Sequence, residues 1–166
     1  MFKNRFVLLI LTKKVKKMVD NRKFIADVFK TFDLKLSKLP ERIAFQKTVY
    51  LLQELGSGTN FNFIWHNFGP YSQELAQIGF SLNDSDKLNA NMLDIPSSQN
   101  FIQLKMGHEG DSKFLEMMAD IVYLTKNKSI MSDKELFIAL ISHQQYLNDE
   151  ELFKLSLQRL RNAKLI

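Results

Sequence analysis

The chain contains no cysteine, which excludes disulfides, cysteine-based zinc sites and a thiol nucleophile. Histidine is scarce: His66, His108 and His143 show no HxxxH or HxxE spacing that would set a metal pair on one helix face. Glycine-rich phosphate loops, dinucleotide fingerprints, a GxSxG elbow and zincin motifs are all missing, as are internal repeats and low-complexity tracts. Long apolar runs are missing too. Phe6–Leu11 is unbroken for six residues, short of the roughly seven to fifteen of a signal-peptide core, and lysines follow it rather than a small-residue cleavage site. It is far below the roughly 20 residues that span a bilayer. No metal, no cofactor and no catalytic residue is therefore expected, a membrane is not the expected partner, and the lack of cysteine suits a cytoplasmic protein.

What is present reads as one domain. The 166 residues are 45% hydrophobic and 25% charged, the balance of a soluble globular protein large enough for a real core. The net charge of +5 is unevenly placed. Residues 1–23 hold Lys3, Arg5, Lys13, Lys14, Lys16, Lys17, Arg22 and Lys23 against Asp20 alone, so the remainder is close to neutral. A basic balance points to phosphate or anionic lipid, and here that applies only to the start of the chain. Residues 1–19 are read as a basic, apolar N-terminal arm packed on the domain as a strand or helix. A basic arm reaching outward, an interfacial membrane anchor and initiation at Met18 are the alternatives. Residues 20–166 form the single domain.

Apolar periodicity predicts a helix over 20–33 (Phe24, Ile25, Val28, Phe29, Phe32). A second is predicted over 41–55, with Pro40 and Glu41 suited to its first turn. In that second helix Phe45, Val49 and Leu52 face the core. Lys47 and Glu54 fall opposite and are expected in water, while Gln46, Tyr50 and Gln53 lie on a flank between. Residues 61–66 read as a strand, Gly69–Pro70 as a turn, and Ser72 as the start of a helix running to about Leu82. Residues 83–100 read as a long loop with a helical turn near Leu88–Leu93, and Phe101–Lys105 as a second strand. Residues 113–125 are apolar on most sides and predict the central buried helix. Ser132-x-x-Glu135 and Asn148-x-x-Glu151 start two last helices, about 133–145 and 149–162.

Few constellations point to chemistry. Glu116 and Asp120 stand one turn apart, but paired acids at that spacing usually decorate a wet helix face, and catalysis needs partners that split their pKa values. His108 with Glu109 and Asp111 reads as a polar turn, and His66 as a structural or partly exposed histidine. Lys154, Arg161 and Lys164 fall near one face of the last helix and, with Lys13, Lys14, Lys16 and Lys17, are the candidate nucleic-acid contacts. Glu150 and Glu151 in that helix's first turn oppose phosphate, and basic residues near a helix C-terminus also complement its dipole.

RIAFQKTVYLLQELG, an aromatic strand and then FGPYSQEL resemble the YwgA-like proteins of bacteria and archaea, a family of unknown function. LEMMADIVYL and LQRLRNAKLI are similar to that family's later helices, so the likeness covers about residues 40–166. More distantly the layout is similar to the Panacea domain, a protein-binding antitoxin module. The resemblance implies Gln46, Tyr50, Gly69, Pro70, Tyr71 and Glu74 as a defining set. Physically, Gln46 and Tyr50 share a flank from which their polar tips can bond the Gly69–Pro70 turn, so FGPYS is expected to be a structural clasp, with partner binding as the other reading. Trp65 and Tyr71 are the aromatic surface expected near a partner.

The resulting expectation is an α+β, mostly helical single domain with a small antiparallel sheet and winged-helix-like character. Its expected function is a non-enzymatic interaction module, antitoxin-like or regulatory, that binds a protein partner. The alternative is a DNA-binding regulator using the arm and C-terminal helices. Self-association into a homo-oligomer is compatible with either.

Overall fold

The computed structural model describes residues 20–127 and 132–166; the N-terminal arm lies outside the described residues. Asp20 accepts hydrogen bonds from the Arg22 and Lys23 backbone N–H groups and so starts α1 (Asn21–Phe32). This helix buries Phe24, Ile25 and Val28. Asp33 in the left-handed region (φ 48°) ends it. α2 (Leu39–Glu54) opens with Pro40, while Glu41 accepts from the Lys38 N–H at 2.9 Å. Both features satisfy a helix start whose first amides have no partner within the helix.

A short antiparallel hairpin follows, β1 (Ile64–His66) paired with β2 (Gly69–Tyr71) in the register Ile64↔Tyr71, Trp65↔Pro70, His66↔Gly69. The turn is therefore Asn67–Phe68. Gly69–Pro70, expected as the turn, opens the second strand instead. Ser72 caps α3 (Gln73–Ser81) by accepting from the Leu75 N–H. The expected long loop holds α4 (Asp84–Leu88), capped reciprocally by Asn83 and Asp86, and the start of α5 (Pro96–Lys105).

α5 corrects a sequence expectation, because Phe101–Lys105 is helical. Phe101 and Leu104 are buried while Ile102 is exposed, a spacing that fits a helix and not an alternating strand. The hairpin is thus the whole of the sheet among the described residues. α6 (Ser112–Asn127) is the central helix expected from its composition, and it packs against α2, α8 and the second strand. α7 (Asp133–His143) begins with Ser132 and Glu135 capping each other, a 3-10 turn covers Gln145–Leu147, and α8 (Glu150–Asn162) completes the domain. α8 is capped by Asp149, which accepts from the Leu152 N–H at 3.0 Å, so the cap lies one residue after the Asn148 expected from sequence. One apolar core, including Phe45, Leu51, Phe114, Met117, Met118 and Leu140, joins these helices. The result is a mostly helical α+β domain with a small antiparallel sheet.

Candidate functional site

The hairpin is held by polar side chains from a single helix. Gln46 brackets one residue of the chain: its Nε2 donates to the Ser72 carbonyl at 3.0 Å and its Oε1 accepts from the Ser72 N–H at 2.9 Å. Gln53 does the same to Phe61, donating to its carbonyl at 3.1 Å and accepting from its N–H at 2.7 Å. Residues seven apart on an α-helix lie on one face, so the two glutamines grip the two ends of the 61–72 segment. Tyr50, expected to bond the turn, packs instead edge-on to Phe63 with ring centroids 4.9 Å apart. Burial raises its hydroxyl pKa well above the ordinary phenol value.

Between the glutamines sits Lys47, which sequence placed in water and the structure buries (1% exposed). Its ammonium donates to the carbonyl of Phe68 and, at 3.3 Å, to that of Pro70. It also stands 3.4 Å from Asp120 Oδ1 on α6, in ionic contact but outside hydrogen-bond alignment. Asp120 is fully buried and Glu116 nearly so, so the wet face expected for this carboxylate pair is a core face. Glu116 accepts a hydrogen bond from the Tyr146 hydroxyl, whose oxygen also stands 2.7 Å from Gln144 Oε1.

Burial sets the electrostatics of this cluster. Removing a charge from water disfavours its ionised form. The carboxyl of Asp120 is pushed up to about 7 by burial, with Lys47 opposing the shift. Burial lowers Lys47 from its ordinary value against the pull of Asp120 and Glu116, and it raises Glu116 against the bond from Tyr146. One cation thus faces two carboxyl groups, an arrangement that favours retaining a proton among them.

Gly69 completes the fit. Its φ is 78°, and a Cβ there would stand 1.8 Å from Asp120 Oδ1 and 2.6 Å from Lys47 Nζ. Glycine is required at this position by backbone angle and by space alike. Pro70 is buried behind it and Tyr71 half-buried, with the Tyr71 ring 5.3 Å from that of His66. Trp65 is half-buried between Tyr123 and His143, with centroids at 5.5 and 5.3 Å. Glu74 is exposed in the first turn of α3 and accepts from Asn21 at 3.3 Å.

Beside this clasp lies an open groove of about 310 Å³ between α2, the hairpin and α3, lined by Leu36, Leu39, Ile43, Phe45, Phe68, Ala76 and Phe80, with Arg42, Gln46, His66 and Tyr71. Large apolar side chains crowd it in the open: Leu39 is 51%, Phe68 37% and Phe80 60% exposed. Sequence reasoning missed this feature and looked to Trp65. The signal available was Phe80 near the end of a nine-residue helix, with Phe68 a short way before that helix.

Of the candidate nucleic-acid residues, two are paired with acids. Lys154 pairs with Glu150 and Glu151 at 3.3 and 3.2 Å, and Arg161 with Asp133 at 2.6 Å. Lys164 is exposed at the end of the chain with a left-handed φ of 56°. Lys13, Lys14, Lys16 and Lys17 lie outside the described residues. His108 stacks on Phe114 at 4.5 Å and stands 3.6 Å from Asp111. Among the described residues no group of three or more His, Asp or Glu could hold a metal ion, and no helix is long and apolar enough to cross a membrane. Comparison with known proteins returns no match to any family model, curated protein or solved structure.

Proposed function

We propose that the protein is a non-enzymatic, cytoplasmic interaction module, antitoxin-like or regulatory, and that its docking face is the apolar groove beside the FGPYS clasp. The observation that carries this reading is the cluster of exposed Leu39, Phe68 and Phe80 around one groove. Contiguous exposed apolar surface on a folded domain marks sites of contact. The occupant is a segment of a partner protein that inserts large apolar side chains, in the helix-in-groove manner. The polar cluster beneath is sealed from solvent, which favours a scaffold role for Lys47 and Asp120 over chemistry on a substrate.

The test uses the tagged full chain beside Leu39→Ser and Phe80→Ser variants in nuclease-treated native extract. The expected result is one stoichiometric protein retained by the native chain and lost by both variants, whose melting temperatures stay unchanged. A catch that nuclease abolishes, or that both variants keep, overturns the reading. Sedimentation of the isolated chain identifies the case in which the occupant is a second copy.

A further inference from the structure

We infer that the segment this groove takes is acidic, with an apolar anchor among Leu39, Phe68 and Phe80 and a carboxylate beside it facing Arg42. This rests on the docking reading above and names the partner's chemistry. Among the described residues no aspartate or glutamate lines the groove, and Arg42 is its one permanently charged side chain.

Arg42 is held ready for an anion. Its Nε donates to the Leu36 carbonyl at 3.0 Å and its Nη2 to that of Ser37 at 3.2 Å, and its guanidinium lies over the Phe80 ring at 5.9 Å. Nη1 has no acceptor among the described residues. The nearest carboxylate in sequence, Glu41, is turned onto the Lys38 N–H, and Arg42 forms no ion pair among the described residues. A guanidinium fixed by backbone bonds loses little freedom on gripping a planar carboxylate. Set against an apolar wall, it does so where the pair is stronger than in open water. A basic segment would instead bring like charge against Arg42, which disfavours the wrong partner.

The experiment titrates isotope-labelled full chain with two synthetic amphipathic peptides that share leucines at one-turn spacing. Glutamates fill the polar positions of one and lysines those of the other. The glutamate peptide is expected to bind about tenfold more tightly, the effect of one charge-assisted hydrogen bond, and to shift amides in residues 36–46, 66–71 and 76–80. Its advantage should shrink as salt rises and vanish in Arg42→Gln. Equal affinities, or tighter binding of the lysine peptide in the same groove, overturn the acidic specificity and leave groove docking standing. Binding of neither peptide, or shifts confined to another face, overturns both.

Discussion

Replacing Lys47 with methionine keeps most of the apolar stem and removes the charge, so it isolates what the buried ammonium does. Three groups lose their partner at once: the carbonyls of Phe68 and Pro70 and the carboxylate of Asp120. Breaking a buried ion pair from one side costs about 3–5 kcal/mol, because the remaining charge is left uncompensated. Orphaned buried acceptors cost about 1–3 kcal/mol each, partly the same energy counted from the other partner. Against a total stability of about 5–15 kcal/mol, Lys47→Met brings the domain close to unfolding.

The pH dependence has a definite sign. The Asp120 pKa rises from 3.8 in the unfolded chain to about 7 in the folded one. The native state therefore holds its proton more tightly, and the stability this confers, full below pH 3.8, is lost as pH rises through about 7. Lys47 holds that pKa down, so removing it raises the value further and extends the loss to higher pH. Urea denaturation of Lys47→Met should show a larger penalty at pH 8 than at pH 5. Adding Asp120→Asn should recover part of it, since the orphan charge is gone, with a coupling of about 0.5–3 kcal/mol. A single variant within about 0.5 kcal/mol of the native chain, the range of surface substitutions, would refute the reasoning, as would a penalty larger at pH 5.

Three further perturbations probe the same clasp and its surroundings. Gly69→Ala forces a Cβ against Asp120 and a strained φ costing about 1–3 kcal/mol, so its melting temperature should fall sharply; an unchanged melt would contradict the close approach. Gln46→Glu, measured at pH 8 where the new carboxyl is ionised, keeps the acceptor for the Ser72 N–H but cannot donate to the Ser72 carbonyl and buries a charge beside it, so it should destabilise at least as much as Gln46→Ala, roughly 1–3 kcal/mol by denaturation. Asp149→Ala should cost about 1 kcal/mol through loss of the α8 cap, whereas Asn148→Ala should be near neutral, and the reverse order would return the cap to Asn148.

The long helices were legible because periodicity and end signals agreed. Pro40, Ser72 and Ser132 each stand at a helix start, and the clustered apolar residues of 113–125 marked the central helix. FIQLK misled because five alternating residues fit either period. Pro96, with Phe101 and Leu104 three apart, was the better signal for a helix. Lys47 misled for a deeper reason. A helical wheel assigns one wet side, but α2 is covered by α6, α5 and the hairpin together, so residues 45–52 are all buried. The hint lay in α6, where Glu116 and Asp120 interrupt a helix otherwise apolar almost all round. Acids there need a cation from elsewhere in the chain. The glutamine flank, expected between core and surface, lies under the hairpin: Gln46 and Tyr50 are buried and only Gln53 is partly exposed, and the glutamines' target, the backbone of Ser72 and Phe61, depended on a hairpin register that sequence does not specify.

The most direct test of the docking face is a photoreactive phenylalanine analogue installed at Phe80, with the same analogue at Ile138 on α7 as the comparison. Both native side chains are exposed, but only Phe80 lines the groove. Irradiation in cells should yield one discrete crosslinked protein from position 80, absent from position 138 and lost when Leu39→Ser and Phe68→Ser are added. No product from position 80, or the same product from both positions, would contradict the assignment of the groove as the partner-binding surface.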